Sequence, residues 1–380
     1  MLLIVALIAV ALLAFANGAN DNFKGVATLF GSGTTDYRRA LAWATLTTLG
    51  GSCAAIYFGA DLLARFSGKG LVPETALADS RFAVSVIASA GLTVLAATRL
   101  GLPISTTHAL VGAMAGTATA ANAGVDWKIL GSAFLLPLLL SPLIALTLTV
   151  VVYLGLRRMR RATGIRSDSC LCFGETAAES AVVALRPHAT CITASSSPPK
   201  VTAILGRGAQ CRLAFTNCIL AIEMKPALDV LHFISAGVVS FARGVNDTPK
   251  IAALLLVSPM IKADGALLLC GGVIALGGII TAGRVAETMS HRITTMNAGQ
   301  GLSANLITGL LVLFASRWGL PVSTTHVSCG SLFGIGFMNG ESRRGLLFQV
   351  LLAWIATLPS AFALGWSAYR LFLSSSILRS

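Results

Sequence analysis

Two copies of a hydroxyl-rich segment carry the clearest chemical signal in this sequence. Gly-Leu-Pro-Ile-Ser-Thr-Thr-His stands at 101–108 and Gly-Leu-Pro-Val-Ser-Thr-Thr-His at 319–326. In each copy Gly and Pro favour a helix break, and the Ser is a good N-cap for the next helix. A helix N-terminus offers free N–H groups and about half a positive charge, so it attracts anions. The predicted donors to a tetrahedral oxyanion are Ser105, Thr106, Thr107, Ser323, Thr324 and Thr325. The alternative is that these hydroxyls only bond to carbonyls of their own helices.

A histidine follows each set of hydroxyls. His108 and His326 are either neutral side chains bonded to backbone, or proton carriers or anion donors within the site. The sequence leaves both interpretations open.

Two Asn-Asp pairs interrupt apolar sequence, the first directly after a Gly-Ala step and the second directly after a Gly-Val step. They are Asn20-Asp21 and Asn246-Asp247. A carboxylate inside a membrane is unfavourable without a partner and indicates function. Together with amide and carbonyl oxygens it predicts a cation site, although an Asp that caps a half-helix is the alternative.

Basic residues lie about a turn from these breaks. They attract the anion, pair with the aspartates or extend to the membrane interface, and the sequence does not decide among these roles. The residues are Lys24, Lys250, Arg99 and Arg317.

The combined chemistry is that of a symporter. Moving a dianion inward against about 100 mV costs about 2.3 kcal/mol per charge. A cation bound at the carboxylates offsets this cost. No cofactor is predicted, and the coupling ion is Na+ or H+.

The composition requires a membrane around these motifs. Of 380 residues, 55% are hydrophobic and only 11% are charged, with mean hydropathy +0.80. A soluble domain carries about 25% charged residues. The sequence therefore predicts an all-α polytopic membrane protein in contact with lipids. The net charge is +13. In a membrane protein this excess of Lys and Arg indicates cytoplasmic loops rather than nucleic-acid binding.

Apolar segments divide into two groups of five. The first group comprises Met1–Ala16, Ala40–Ala60, Phe82–Thr98, Ile104–Asn122 and Ile129–Leu156. The second comprises Leu228–Ala242, Gly265–Gly283, Gly301–Ser316, Val322–Met338 and Leu346–Leu373. These groups predict a transmembrane repeat at 1–156, a basic loop at 157–227 and a second repeat at 228–380. The arginines at 157–166 place the loop in the cytoplasm, and five crossings on each side place both termini outside.

The two halves repeat each other. Residues 15–24 match 241–250 at six of ten positions, and 99–108 match 317–326 at eight of ten. Because each half has an odd number of predicted crossings, the halves must have opposite orientations. Inverted repeats with broken helices near the midplane are typical of secondary transporters.

These motifs resemble the inorganic phosphate transporter (PiT) family of sodium– or proton–phosphate symporters. The family's Gly-Ala-Asn-Asp signature stands at 18–21 and, as Gly-Val-Asn-Asp, at 244–247; its Pro-x-Ser-Thr-Thr-His element stands at 103–108 and 321–326. The resemblance implies a phosphate–cation symporter, often a homodimer. It implies that the Ser and Thr residues bind phosphate and the Asn-Asp pairs bind the cation, with Na+ at Asp21 and Asp247 if sodium is coupled.

The chain departs from the family in places that bear on coupling. Asn22-Phe23-Lys24 replaces the usual Val-Ala-Asn, and Thr48 and Asn305 stand where animal members carry Glu. Proton coupling therefore stays open. The alternatives are a sulfate permease of the same family, a passive anion channel and a membrane phosphatase. The duplication of the motifs argues against the phosphatase. The expected location is a bacterial inner membrane.

Overall fold

The membrane part of the chain is a bundle of long helices. The computed structural model describes residues 2–176, 201–207, 215–256, 262–341 and 343–374. Within these residues eight helical segments are long and apolar enough to cross a membrane. Four lie in each half: Leu3–Gly25, Tyr37–Phe58, Ser80–Arg99 and Trp127–Thr163, then Met224–Leu255, Ala263–Thr281, Ala298–Arg317 and Arg344–Ser374. The predicted class, a helical polytopic membrane protein, is confirmed.

Short helices and turns connect the long ones. The first half contains α1 Leu2–Asp21, α2 Ala27–Gly31, α3 Tyr37–Phe58, α4 Ala60–Phe66, α5 Glu74–Leu77, α6 Ser80–Arg99, α7 Thr106–Ala120, α8 Trp127–Ile129 and α9 Leu136–Thr163. The second contains α10 Met224–Ala252, α11 Ala263–Thr281, α12 Gly283–Glu287, α13 Ala298–Arg317, α14 Thr324–Asn339 and α15 Arg344–Ser374. A π-helical turn, Leu130–Leu135, joins α8 to α9.

One helix of intermediate length in each half begins at a helix break and is too short to span a membrane. Helices α7 and α14 have 15 and 16 residues. At 1.5 Å per residue they are about 22–24 Å long, less than the ~30 Å hydrocarbon core. The prediction of about five spans per half thus resolves into four long helices and one short helix. The opposite orientation of the halves remains a prediction.

Glycines allow these helices to approach closely. Helix α1 packs against α6 and α11, α3 packs against α11, and α7 packs along α15. A Cβ atom at Gly18 would collide with the carbonyl oxygen of Ile274, and one at Gly277 with that of Phe15. Small residues at such contacts are expected because lipid provides no hydrophobic force between helices.

A second compact unit covers Gly155–Leu231. It contains an antiparallel sheet with strand order β2-β1-β3, formed by β1 Ser169–Thr176, β2 Val201–Arg207 and β3 Phe215–Glu223. Cys172 of the central strand pairs with Ile204 and with Ala221. The sequence suggested only a basic loop here, and the sheet is an addition to that prediction.

Candidate functional site

The two Gly-Leu-Pro segments form the predicted helix breaks. Gly101 and Gly319 have φ of +68° and +60°, a conformation that side chains rarely adopt. Ser105 and Ser323 then cap α7 and α14 by accepting hydrogen bonds from the backbone N–H of the residue three positions on, each at 3.2 Å. The predicted caps are therefore present in both copies.

The two asparagines of the Asn-Asp pairs hold these breaks in place. Asn20 Nδ2 donates to Thr98 Oγ1 at 2.9 Å and to the Leu102 carbonyl at 3.1 Å. Its Oδ1 accepts from the Ile104 N–H at 3.2 Å. In the second half, Ser316 Oγ donates to Asn246 Oδ1 at 3.1 Å, and Asn246 Nδ2 lies 3.5 Å from the Val322 carbonyl oxygen. Each amide thus ties the end of one helix to the loop before the next, a role that the sequence did not indicate.

The two carboxylates meet in one buried centre. Asp21 and Asp247 are 1% and 4% exposed. Asn17 Nδ2 lies 2.8 Å from Asp21 Oδ2 and 3.5 Å from Asp247 Oδ2, so it bridges them. Thr106 donates to Asp21 at 3.2 Å, and Thr324, its counterpart, donates to Asp247 at 3.4 Å. The structure therefore brings both repeats' motifs together around Asn17.

Lys24 joins its own half to the other one. Its Nζ forms an ion pair with Asp21 and lies 2.7 Å from Asn20 Oδ1. It also donates to the Ile104 carbonyl at 3.1 Å and to Thr325 Oγ1 at 2.6 Å.

Lys250 makes the equivalent contacts from the second half to the first. Its Nζ donates to the Val322 carbonyl at 2.7 Å and to Thr107 Oγ1 at 3.1 Å, and lies 3.7 Å from Asp247. Of the roles left open for these lysines, the structure shows pairing with aspartate. Arg99 and Arg317 are exposed and take no part in the centre.

Arg243 is a third buried cation, and sequence reasoning missed it. Its guanidinium donates to Asn22 Oδ1 at 2.9 Å and to Thr48 Oγ1 at 3.0 Å, with Asn17 Oδ1 at 3.5 Å. Its Nε has no hydrogen-bond partner among the described residues. Arg243 and Asn17 occupy equivalent positions of the repeat but differ in type, so a search for shared residues passes over both.

All six predicted hydroxyl groups lie at or beside this centre. Ser105 and Ser323 serve as caps, and Thr106 and Thr324 each donate to the aspartate of their own half. Thr107 and Thr325 each accept a hydrogen bond from the lysine of the other half. Thr325 Oγ1 also lies 3.4 Å from Asp21 Oδ1, to which it can donate. The arrangement offers donors, carboxylates and fixed positive charges within one buried space. By contrast, Asn305 accepts from Thr28 at 3.0 Å in a different polar cluster.

The two histidines pack on each other rather than on the carboxylates. The rings of His108 and His326 have centroids 4.6 Å apart. His326 Nδ1 lies 3.2 Å from the Leu138 carbonyl. His326 Nε2 and His108 Nδ1 have no hydrogen-bond partner among the described residues. Both rings line a mostly apolar cavity of about 570 Å³.

These features define a class of protein. Helices long enough to span a membrane, one helix break in each half and a buried charged centre built from both halves are features of a membrane transport protein. The model of the phosphate transporter family matches residues 17–365. The chain belongs to this family, which is a family of transporters and not a class of enzymes.

Curated relatives of the chain carry consistent names. A putative phosphate permease of Pyrococcus horikoshii is 24% identical and aligns over 95% of each chain. The chloroplastic inorganic phosphate transporter 2-1 of Arabidopsis thaliana is 28% identical over 90% of this chain and 67% of its own. A probable low-affinity inorganic phosphate transporter of Rhizobium meliloti is 36% identical over 35% of this chain and 43% of its own.

A solved structure shares the fold. The structure titled "The sodium-dependent phosphate transporter" superimposes with a TM-score of 0.72, covering 98% of this chain and 99% of that one. The sequence identity is 22%, so this similarity concerns the fold alone.

Proposed function

We propose that this protein is a secondary transporter that carries inorganic phosphate across a membrane together with a coupled cation, Na+ or H+. One observation carries the proposal. Both Ser-Thr-Thr segments and both aspartates converge on a single buried centre, bridged by Asn17. A centre made equally by two repeats suits a carrier that opens to either side.

The chemistry of the centre favours phosphate over sulfate. Hydroxyl groups and buried cations bind either tetrahedral oxyanion. Only a protonated phosphate, however, can also donate a hydrogen bond to a carboxylate. Asp21 and Asp247 accept hydrogen bonds within the centre and supply that acceptor.

The remaining roles follow the motifs. The six hydroxyl residues contribute to phosphate binding, and the Asn20-Asp21 and Asn246-Asp247 pairs to cation coupling. His108 and His326 contribute only through the neighbouring cavity. The membrane is proposed to be a bacterial inner membrane, and a homodimer is the proposed assembly.

The hydroxyls give a direct test of the binding site. Thr107→Val and Thr325→Val keep the shape of the side chain but remove the hydroxyl that a lysine of the other half contacts. We expect each change to weaken phosphate binding by about 1–3 kcal/mol. Isothermal titration of phosphate, and separately of sulfate, into the purified proteins measures this loss.

A matched control lies on the same helix as Thr107. Thr119 is exposed and, among the described residues, donates only to the Ala115 carbonyl of its own helix. Thr119→Val should therefore bind phosphate like the wild type. Wild-type phosphate affinity in both the Thr107 and the Thr325 variants would remove these hydroxyls from the site, and tighter binding of sulfate than phosphate would favour the sulfate permease.

A further inference from the structure

Each buried aspartate already has a cation in contact with it. Lys24 and Lys250 occupy equivalent repeat positions, three residues after Asp21 and Asp247. Their side chains are 1% and 2% exposed, so neither ammonium group is solvated by bulk water. A lysine buried this completely must be compensated by oxygen atoms and negative charge.

The surroundings of Lys24 Nζ are those that a hard metal cation would take. They comprise a carboxylate, the amide oxygen of Asn20, the carbonyl of Ile104 and the hydroxyl of Thr325. Oxygen ligands of these kinds bind small hard cations in proteins. An ion entering this position would have to displace the ammonium group from the carboxylate.

The lysines also make the contact between halves that a shared ion would make. Lys24 reaches Thr325 of the second half, and Lys250 reaches Thr107 of the first. Each ammonium therefore links one half's aspartate to the other half's helix terminus. The link is covalently tethered to the chain and cannot dissociate.

The net charge of the centre also disfavours a bound metal cation. Among the described residues, the buried charged side chains are Asp21, Asp247, Lys24, Lys250 and Arg243. With all five ionised, the centre has a formal charge of +1. A sodium ion would add to this positive charge, whereas one dihydrogen phosphate ion would neutralise it.

We infer that the ammonium groups of Lys24 and Lys250 take the place of coupling sodium ions at Asp21 and Asp247, so that this transporter binds and exchanges phosphate without sodium. The inference rests on the proposed function, of which it fixes the ion requirement. The transported species is then the monoanion, and the cation left for coupling is the proton.

Sodium binding tests the inference independently of transport. Purified protein is incubated with radioactive sodium, and bound sodium is measured by scintillation proximity with and without phosphate. We expect no saturable sodium binding to the wild type. Lys24→Met removes the ammonium but keeps the length of the side chain, and it should gain saturable sodium binding. Lys128→Met, at an exposed position, is the control and should behave like the wild type.

Phosphate exchange in proteoliposomes completes the test. Wild-type exchange should change less than twofold when sodium replaces choline, and exchange by Lys24→Met should rise at least fivefold with sodium. Saturable sodium binding to the wild type, or wild-type exchange that rises severalfold with sodium, would overturn the inference, whether or not Lys24→Met folds. If the wild type neither exchanges phosphate nor binds sodium while Lys24→Met binds sodium, the proposed function fails and the replacement of sodium by lysine stands.

Discussion

At the scale of single residues, the molecule keeps ionised groups inside a membrane by pairing them. Asp21 accepts from Asn17 and Thr106 and contacts Lys24. Removing one member of a buried pair costs about 3–5 kcal/mol because the other charge is left uncompensated. The pairs are therefore positions where a change in charge during transport has a large effect.

Neutralising either aspartate should uncouple the carrier more than it should weaken recognition of the anion. Asp21→Asn and Asp247→Asn keep the side-chain shape and mimic a protonated carboxyl. We expect accumulation of phosphate driven by a pH gradient to fail in both variants while phosphate exchange continues at a reduced rate. Gradient-driven uptake and exchange, measured side by side in proteoliposomes, distinguish the two effects.

An exposed acidic residue provides the control for this experiment. Asp264→Asn, in the first turn of α11, should accumulate phosphate like the wild type. If Asp21→Asn and Asp247→Asn also accumulated phosphate normally, the carboxylates would be structural, and coupling would have to involve another group, first His108 and His326.

Residues shared by the repeats could be predicted from the sequence, and residues that differ could not. The hydroxyls and the aspartates appear twice, and their convergence explains the duplication. Asn17 and Arg243 occupy one repeat position with different side chains, so neither stood out. Their importance comes from packing between the halves, which places the guanidinium against Asn22 and Thr48.

At the scale of elements, close helix contacts fix the position of the centre. Helix α1 carries Asn17 and Asp21 and is held against α11 where Gly277 meets the Phe15 carbonyl. A single residue, Ala16, separates Phe15 from Asn17. A shift of α1 at this contact would therefore move the bridging amide.

A methyl group at Gly277 should destabilise the protein, whereas one at Gly272 should not. Both glycines lie on α11, but a Cβ at Gly272 meets no atom of the described residues within 4 Å. Gly277→Ala forces the backbones of α1 and α11 apart, and overpacking of this kind costs about 1–3 kcal/mol of folding stability. Thermal unfolding in detergent should show a lower midpoint for Gly277→Ala and an unchanged or higher one for Gly272→Ala. Equal midpoints would mean that α1 and α11 can separate at little cost.

Helix starts were predictable because a local signal defines them, and the sheet was not. Ser105 and Ser323 cap helices that begin at Thr106 and Thr324, as the Gly-Leu-Pro-x-Ser pattern predicts. Strands β1–β3 pair residues far apart in the chain, and their sequence has no regular alternation within a basic segment. Strand pairing of this kind depends on tertiary context.

At the scale of the whole molecule, the account requires two halves of opposite orientation. Cross-half contacts such as Lys24–Thr325 and Lys250–Thr107 are counterparts, as a two-fold axis in the membrane plane would produce. Sequence arithmetic predicts this inversion. The orientation of each half relative to the membrane is open to direct measurement.

Equivalent loops of the two halves should face opposite sides of the membrane. Lys69 and Arg292 are exposed residues in corresponding connections, between α4 and α5 and between α12 and α13. In a cysteine-free background, Lys69→Cys should react with a membrane-impermeant maleimide added outside the cell. Arg292→Cys should react with the same reagent only after the membrane is permeabilised. Reaction of both from the same side would contradict an inverted repeat.

Counterflow of labelled phosphate tests the central claim most directly, namely that this centre carries phosphate through an alternating site. Proteoliposomes loaded with unlabelled phosphate are diluted into trace labelled phosphate, with sulfate as competitor in a parallel sample. The account predicts a transient accumulation of label above equilibrium. This accumulation should be absent when the proteoliposomes contain no unlabelled phosphate, and sulfate should have little effect on it. Label that only equilibrates would indicate a channel, and counterflow supported by sulfate but not by phosphate would contradict the assignment of the substrate.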